Sequence, residues 1–143
     1  MKRVVVTGMA GFSPIGNDWQ TISESLRTLK TGIVRMDEWD IYDGLNTRLA
    51  APVLDFTMPS HYKRKDLRSM GRVAQFGVYS TERALADAGL LNSEQLGQGQ
   101  VGIAFGSSAG DTKAFIDFGN MLIDHSSDGL NANSYVKMMA HTA

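Results

Sequence analysis

The sequence predicts a layered α/β fold, and three features predict it. A β-branched run, Arg3 to Thr7, opens the chain. A second short apolar run, VGIAFG, lies at 101–106, and between and beyond the two come apolar residues at helical spacing, bounded by caps and stops. The order strand, helix, excursion, helix, strand belongs to stacked α/β layers. Chemistry does not follow from that order alone.

The elements can be justified in turn. Three consecutive valines favour a pleated environment that is apolar on both sides, so 3–7 is expected to be a buried strand. Asn17 or Asp18 can cap a helix through Trp19, Ile22, Leu26 and Leu29, whose spacing makes one apolar stripe, and Gly32 is the expected stop. From Ile33 to Pro59 aspartates, Gly44 and prolines punctuate short segments, and a surface excursion with one strand is expected. The basic segment HYKRKDLRSMGR leads into a long helix over about 70–88. On it Gly77, Thr81, Ala84 and Ala88 form a small-residue stripe on which another backbone can pack closely. Gly89 is a natural left-handed stop. VGIAFG is the second buried strand; after GSSAG a helix starts near Asp111 with Phe115, Phe118 and Leu122 as its apolar face. A last helix is expected over SYVKMMAHTA.

Composition narrows the function classes. The chain has 143 residues and is 43% hydrophobic, enough for a globular domain or part of one. Fourteen basic and fifteen acidic residues leave a net charge of -1, so no global field draws it to nucleic acid or an anionic membrane. It has no cysteine, hence no disulfide framework and no thiolate metal site, which suits a reducing compartment. No run approaches a membrane span or the apolar core of a signal peptide, and the cytoplasm is the default expectation.

Two motifs tempt and do not fit. VVVTGMAGFSPIG places glycines at 8, 11 and 16, which is not the G-x-G-x-x-G of a dinucleotide turn. The T-G-x-x-G-x-x-G variant meets Pro14, which removes an N–H where a phosphate cradle needs one. The Tyr-x-x-x-Lys pair of the extended short-chain dehydrogenases that carry this variant is also missing: Tyr42, Tyr62, Tyr79 and Tyr135 are followed four positions on by Asn46, Asp66, Arg83 and Met139. GSSAG satisfies G-x-S-x-G between strand and helix, making Ser108 a candidate hydrolase nucleophile. Only His125 and His141 follow it, and Asp124 directly adjoins His125, so an acid followed by a base is poorly provided. A small-residue turn beside a packed wall accounts for the motif more simply.

Both stretches fit a family. RVVVTGMAGFSPIGND resembles the opening of β-ketoacyl-acyl carrier protein synthases, condensing enzymes of the thiolase-like fold. WDIYDGLNTRLAAPV resembles their early loop and strand, and YKRKDLRSMGR their basic segment, usually R-K-x-x-R-x-M. ALADAGL resembles the end of a buried helix, and VGIAFGSSAG the strand and turn before the acyl pocket. The series runs in order over essentially the whole chain. Ala10 stands where a glycine is usual after T-G-M.

The resemblance implies a thiolase-like α/β/α/β/α architecture, of which residues 1–143 are expected to be an N-terminal part that stops before the nucleophile segment. It implies a decarboxylative condensation of an acyl thioester with malonyl-acyl carrier protein, through a cysteine and two histidines absent from this stretch. No residue here is therefore expected to be catalytic, and His61, His125 and His141 are read as structural or surface groups. No cofactor or metal is implied; the partners are acyl carrier protein, acyl and malonyl thioesters and a second copy in a homodimer.

Two places are expected to touch substrate. Lys63, Lys65, Arg68 and Arg72, with Arg64, form a basic cluster suited to an acidic carrier protein, and 65, 68 and 72 are expected to share a helical face. The family's carrier-binding positions fall on Lys65 and Arg68, and a third position, often basic, is Ser69 here. Ser107, Ser108 and Ala109 occupy the turn that lines the acyl pocket in the family, with Ala109 at the position that gates chain length. A non-catalytic chain-length partner of the same fold is the alternative.

Overall fold

The structure is a computed structural model and describes residues 3–140; His141 and the end of the last expected helix lie outside the described residues. The chain divides into two compact units, Ala10–Thr57 and Met1–Met9 with Met58–Ala143.

In the unit Ala10–Thr57, SPIG closes a tight turn in which Ser13 and Gly16 exchange backbone hydrogen bonds of 3.0 and 3.2 Å. Helix α1, Trp19–Arg27, follows, capped by Asp18, whose carboxylate accepts from the Thr21 N–H at 2.8 Å. A short acidic side chain here satisfies an N–H that the helix leaves unpaired. Buried Ser25 donates to the Ile15 carbonyl at 2.8 Å, fixing helix to turn. The expected stop at Gly32 is not where the helix ends: Thr28 closes it and Leu29 takes the left-handed conformation, φ 56°. Gly32 has a different use, since a Cβ there would lie 2.6 Å from the Pro14 Cβ.

The excursion holds two short strands, not one. β1, Val34–Arg35, pairs antiparallel with β2, Leu49–Ala50, in the register Val34 to Ala50. An ion-pair chain braces the connection: Arg35 reaches Asp37 and Asp40 at 2.7 and 2.6 Å, and Arg48 reaches Asp40 at 2.6 Å. The Arg35 pKa is raised, chiefly by its hydrogen bond to Asp40. Phe56 is buried, and its ring meets that of Phe12 edge to face, with centroids 4.9 Å apart.

In the other unit the expected long helix is present as one element, α3, Arg72–Asp87, which begins after Gly71; a separate short helix, α2, Arg64–Leu67, ending at Arg68, precedes it. The stripe on α3 is used as its small residues suggest. A Cβ on Gly8 would collide with the Ala84 carbonyl and lie 2.8 Å from the Ala88 Cβ, and one on Gly77 would lie 2.6 Å from the Phe105 ring. Gly89 takes φ 68°, and with Leu90 donating to the Leu85 carbonyl and Gly89 to that of Ala86 it closes a Schellman motif. Helix α4, Thr112–Asp124, is capped by Asp111 and meets α5, Ala132–Met138, where the Phe118 and Tyr135 rings stand 6.1 Å apart.

Neither expected strand, 3–7 or 101–106, pairs with another segment among the described residues. Val4 is 97% and Ile103 88% exposed. A β-prone run becomes a strand only with a hydrogen-bonded neighbour, so three valines state a propensity and not a ladder. The apolar stripes of α1 and α4 are likewise largely exposed, at Trp19, Leu26, Phe115 and Leu122, and among the described residues full burial is confined to small residues such as Ala74 and Ala114, with Phe56. Among the described residues no helix is long and apolar enough to cross a membrane.

Candidate functional site

The basic segment is built on a single helical turn. The Lys63 N–H donates to the Asp66 carboxylate at 2.9 Å, which sets the start of α2, and the Arg68 N–H donates to the Arg64 carbonyl at 3.1 Å at its end. Lys63, Arg64, Lys65 and Arg68 are all exposed. The Lys63 ammonium donates to the Ser60 carbonyl at 3.3 Å, whereas among the described residues neither the Lys65 nor the Arg68 side chain has an ion-pair or hydrogen-bond partner. Two charges with no internal partner can be offered to another molecule.

Arg72 stands apart from them. Residues 69–71 interrupt the helix, so 65, 68 and 72 do not share one helical face. The Arg72 guanidinium lies 5.0 Å from the centroid of the Phe76 ring, an intramolecular cation–π contact. Gly71 explains the break: a Cβ there would be 2.7 Å from the Asp111 Cβ, so the chain has to pass that residue closely.

Upstream, His61 and Tyr62 reach back to α3. The Tyr62 hydroxyl donates to Glu82, and His61 Nε2 lies 2.9 Å from the same carboxylate oxygen, Oε2. Burial first, then the hydrogen bond to Glu82, pushes the Tyr62 phenol up to about 12. The same hydrogen bond holds the Glu82 carboxyl below the usual carboxylate range. His61 therefore has a local structural partner; His125 is the left-handed C-cap of α4, φ 55°.

The turn 107–109 is held by its own first residue. Ser107 Oγ donates to the Ala109 carbonyl at 2.6 Å and accepts from the Ala109 N–H at 3.4 Å. Gly110 is buried, and a Cβ there would lie 2.5 Å from the Lys137 carbonyl oxygen. Ser108 and Ala109 are exposed, and among the described residues no histidine hydrogen-bonds Ser108, so no nucleophile–base pair is formed.

The basic segment and this turn meet at Asp111, which sequence reasoning treated only as the start of a helix. One carboxylate oxygen accepts from the Lys113 N–H at 2.8 Å and the other from the Arg72 N–H at 3.1 Å. The first bond is legible in the sequence as a cap; the second joins positions 39 apart and has no local signal. Glu82 was missed for the same reason, being 20 residues from Tyr62.

The exposed basic segment and the small-residue turn at 107–109 sit on an α/β segment whose fold is shared with known proteins. The family model for the β-ketoacyl synthase N-terminal domain matches residues 1–143, and the chain belongs to that family. A β-ketoacyl synthase crystal structure from Burkholderia phymatum STM815 superposes with a TM-score of 0.91 at 44% identity, covering 99% of this chain and 35% of that one. The fold is accordingly the thiolase-like one, of which the chain supplies a partial α/β segment. The ishigamide ketosynthase/chain length factor superposes with a TM-score of 0.72 at 22% identity over 96% of this chain and 34% of that one, a likeness of fold alone. Among curated proteins, 3-oxoacyl-[acyl-carrier-protein] synthase 2 of Vibrio harveyi is 37% identical over 109 residues, covering 76% of this chain and 26% of that protein. Its counterpart from Synechocystis sp. is 32% identical over 123 residues, 86% of this chain and 29% of that protein. The chain thus spans less than a third of the length of these curated relatives.

Proposed function

We propose that residues 1–143 are the N-terminal part of a β-ketoacyl-acyl carrier protein synthase, contributing carrier docking and one wall of the acyl pocket. The observation that carries this is the superposition of nearly the whole chain on a β-ketoacyl synthase at 44% identity. In the reaction an acyl group is held as a cysteine thioester. Malonyl-carrier thioester loses carbon dioxide, and the carbanion left behind attacks the acyl carbonyl. A carbon–carbon bond forms and the cysteine thiolate departs. The 143 residues contain no cysteine, so this stretch by itself performs no condensation.

Its contribution is recognition. Lys65 and Arg68, exposed and without internal partners, face an acidic carrier protein, with Lys63 beside them and Arg72 behind, held over Phe76. Ser107, Ser108 and Ala109 line the acyl chain, and the methyl side chain of Ala109 leaves volume for it. The assembled enzyme is a cytoplasmic homodimer. The test is incubation of the subunit carrying this chain, and separately of residues 1–143, with acyl-carrier and malonyl-carrier protein. The subunit should release carbon dioxide and 3-oxoacyl-carrier in equal amounts, and the segment neither. A subunit that binds carrier but makes no product would favour the non-catalytic chain-length partner.

A further inference from the structure

Helix α2 has little reason to hold its shape unaided. Four residues are too few for a helix to be stable by itself. Its charges work against it, because Arg64 and Arg68 stand one turn apart and Lys63 and Lys65 add to the same field. A docking face needs its cations at fixed positions, since ordering flexible side chains and backbone on binding costs affinity. Something outside α2 therefore has to set where Lys65 and Arg68 point.

The residues immediately before it do this. Tyr62, half-buried, directly precedes the Lys63 cap and sends its hydroxyl to Glu82 in the body of α3. His61 reaches the same oxygen at 2.9 Å, and the His61 and Tyr62 rings lie 4.5 Å apart. The Tyr62 N–H also donates to the Pro59 carbonyl at 3.1 Å, closing the approach into a turn. The Glu82 side chain is only 23% exposed, so the bond forms in a partly desolvated place where hydrogen bonds to a charged group are strong. At the far end, the Gln75 amide donates to the Met70 carbonyl at 3.2 Å, so the exit is tied to the same helix, and the Arg72 N–H at the start of that helix donates to Asp111.

We propose that Glu82, acting through Tyr62 and His61, is a positioning residue for the docking cations Lys65 and Arg68. It rests on the carrier-docking reading of those cations. Their role is indirect: Glu82 and Tyr62 fix the turn that precedes the cations, which lie three and six residues downstream of Tyr62.

The test is made in the synthase subunit carrying this chain, with steady-state kinetics on carrier-bound substrate and on a small thioester without carrier. Tyr62→Phe removes the hydroxyl and keeps the ring. It should raise KM for the carrier-bound substrate about three- to tenfold at unchanged kcat, while turnover of the small thioester stays at the wild-type value. Glu82→Gln retains an acceptor and should raise KM less. In a Lys65→Glu/Arg68→Glu background Tyr62→Phe should cause no further loss, because its effect passes through those cations. An unchanged KM in Tyr62→Phe beside a raised KM in the charge reversal would overturn the positioning role and leave docking intact. Additive losses, or loss of small-thioester turnover, would make Tyr62 a general support of the fold and overturn it too. No effect of the charge reversal itself would overturn both readings.

Discussion

Arg72 and Asp111 are joined by a hydrogen bond from the Arg72 N–H to Asp111 Oδ2, 3.1 Å long, while Asp111 Oδ1 accepts from the Lys113 N–H at 2.8 Å. One carboxylate thus caps two helices, α3 and α4, and ties the end of the basic segment to the turn at 107–109. Removing it leaves unpaired N–H groups at two helix starts. Asp111→Ala should cost about 1–3 kcal/mol of stability, toward the upper end if both caps are lost together, and Asp111→Asn distinctly less. Chemical denaturation of the three proteins measures this; an Ala variant as stable as the parent would mean that water replaces the carboxylate at both ends.

Gly8 lies against α3 so closely that an added Cβ would be 2.5 Å from the Ala88 backbone nitrogen. Backbone cannot move aside as the tip of a side chain can. Gly8→Ala should destabilise by about 1–3 kcal/mol, and Gly11→Ala, where a Cβ meets nothing within 4 Å, should have little effect. Equal melting temperatures for the two variants would contradict the close packing.

Tyr62 and Glu82 make stability depend on pH in opposite directions. The phenol is raised from 10.0 to about 12, so its contribution is complete below about pH 10 and is lost as pH rises through about 12. The Glu82 carboxyl is lowered, so its contribution is present above its ordinary value of 4.5 and is lost as pH falls through the folded one. The phenolate absorbance should show a late step that Tyr62→Phe abolishes. Titration of all tyrosines near their ordinary value would show that the hydroxyl is not held.

Large apolar side chains stand in solvent: Val4 is 97%, Ile103 88% and Ile123 75% exposed. Residues 1–143 produced by themselves should therefore associate, since such surface is covered by another surface when one is available. Sedimentation over a range of concentrations checks this. A concentration-independent monomer with a sharp cooperative melt is the opposite outcome.

What was legible in the sequence was local or was carried by ordered motifs. A cap at Asn17 or Asp18, a helix start near Asp111, Gly89 as a left-handed stop and the small-residue stripe on α3 each follow from chemistry within one or two turns of chain. The family was legible because several short motifs recur in one order. The break between α2 and α3 was not, because it depends on Gly71 passing the side chain of Asp111, 40 residues downstream. Leu29, not the expected stop Gly32, takes the left-handed position after α1, and Gly32 is instead required for the approach to Pro14. The two apolar runs were legible as β-prone, but pairing requires a neighbour that propensity cannot supply. Glu82 was invisible for the same reason: nothing within its own helix marks it as the partner of Tyr62.

The most direct test of the docking account is the salt dependence of carrier kinetics after charge reversal. In the subunit carrying this chain, Lys65→Glu/Arg68→Glu should raise KM for the carrier-bound substrate about tenfold at low ionic strength, as the loss of a few partly exposed charge pairs allows. Added salt should weaken wild-type binding and leave the variant nearly unaffected, because screening acts on an attraction the variant no longer has. The same KM and the same salt slope in both proteins would contradict the account and reduce the cluster to a solvated face.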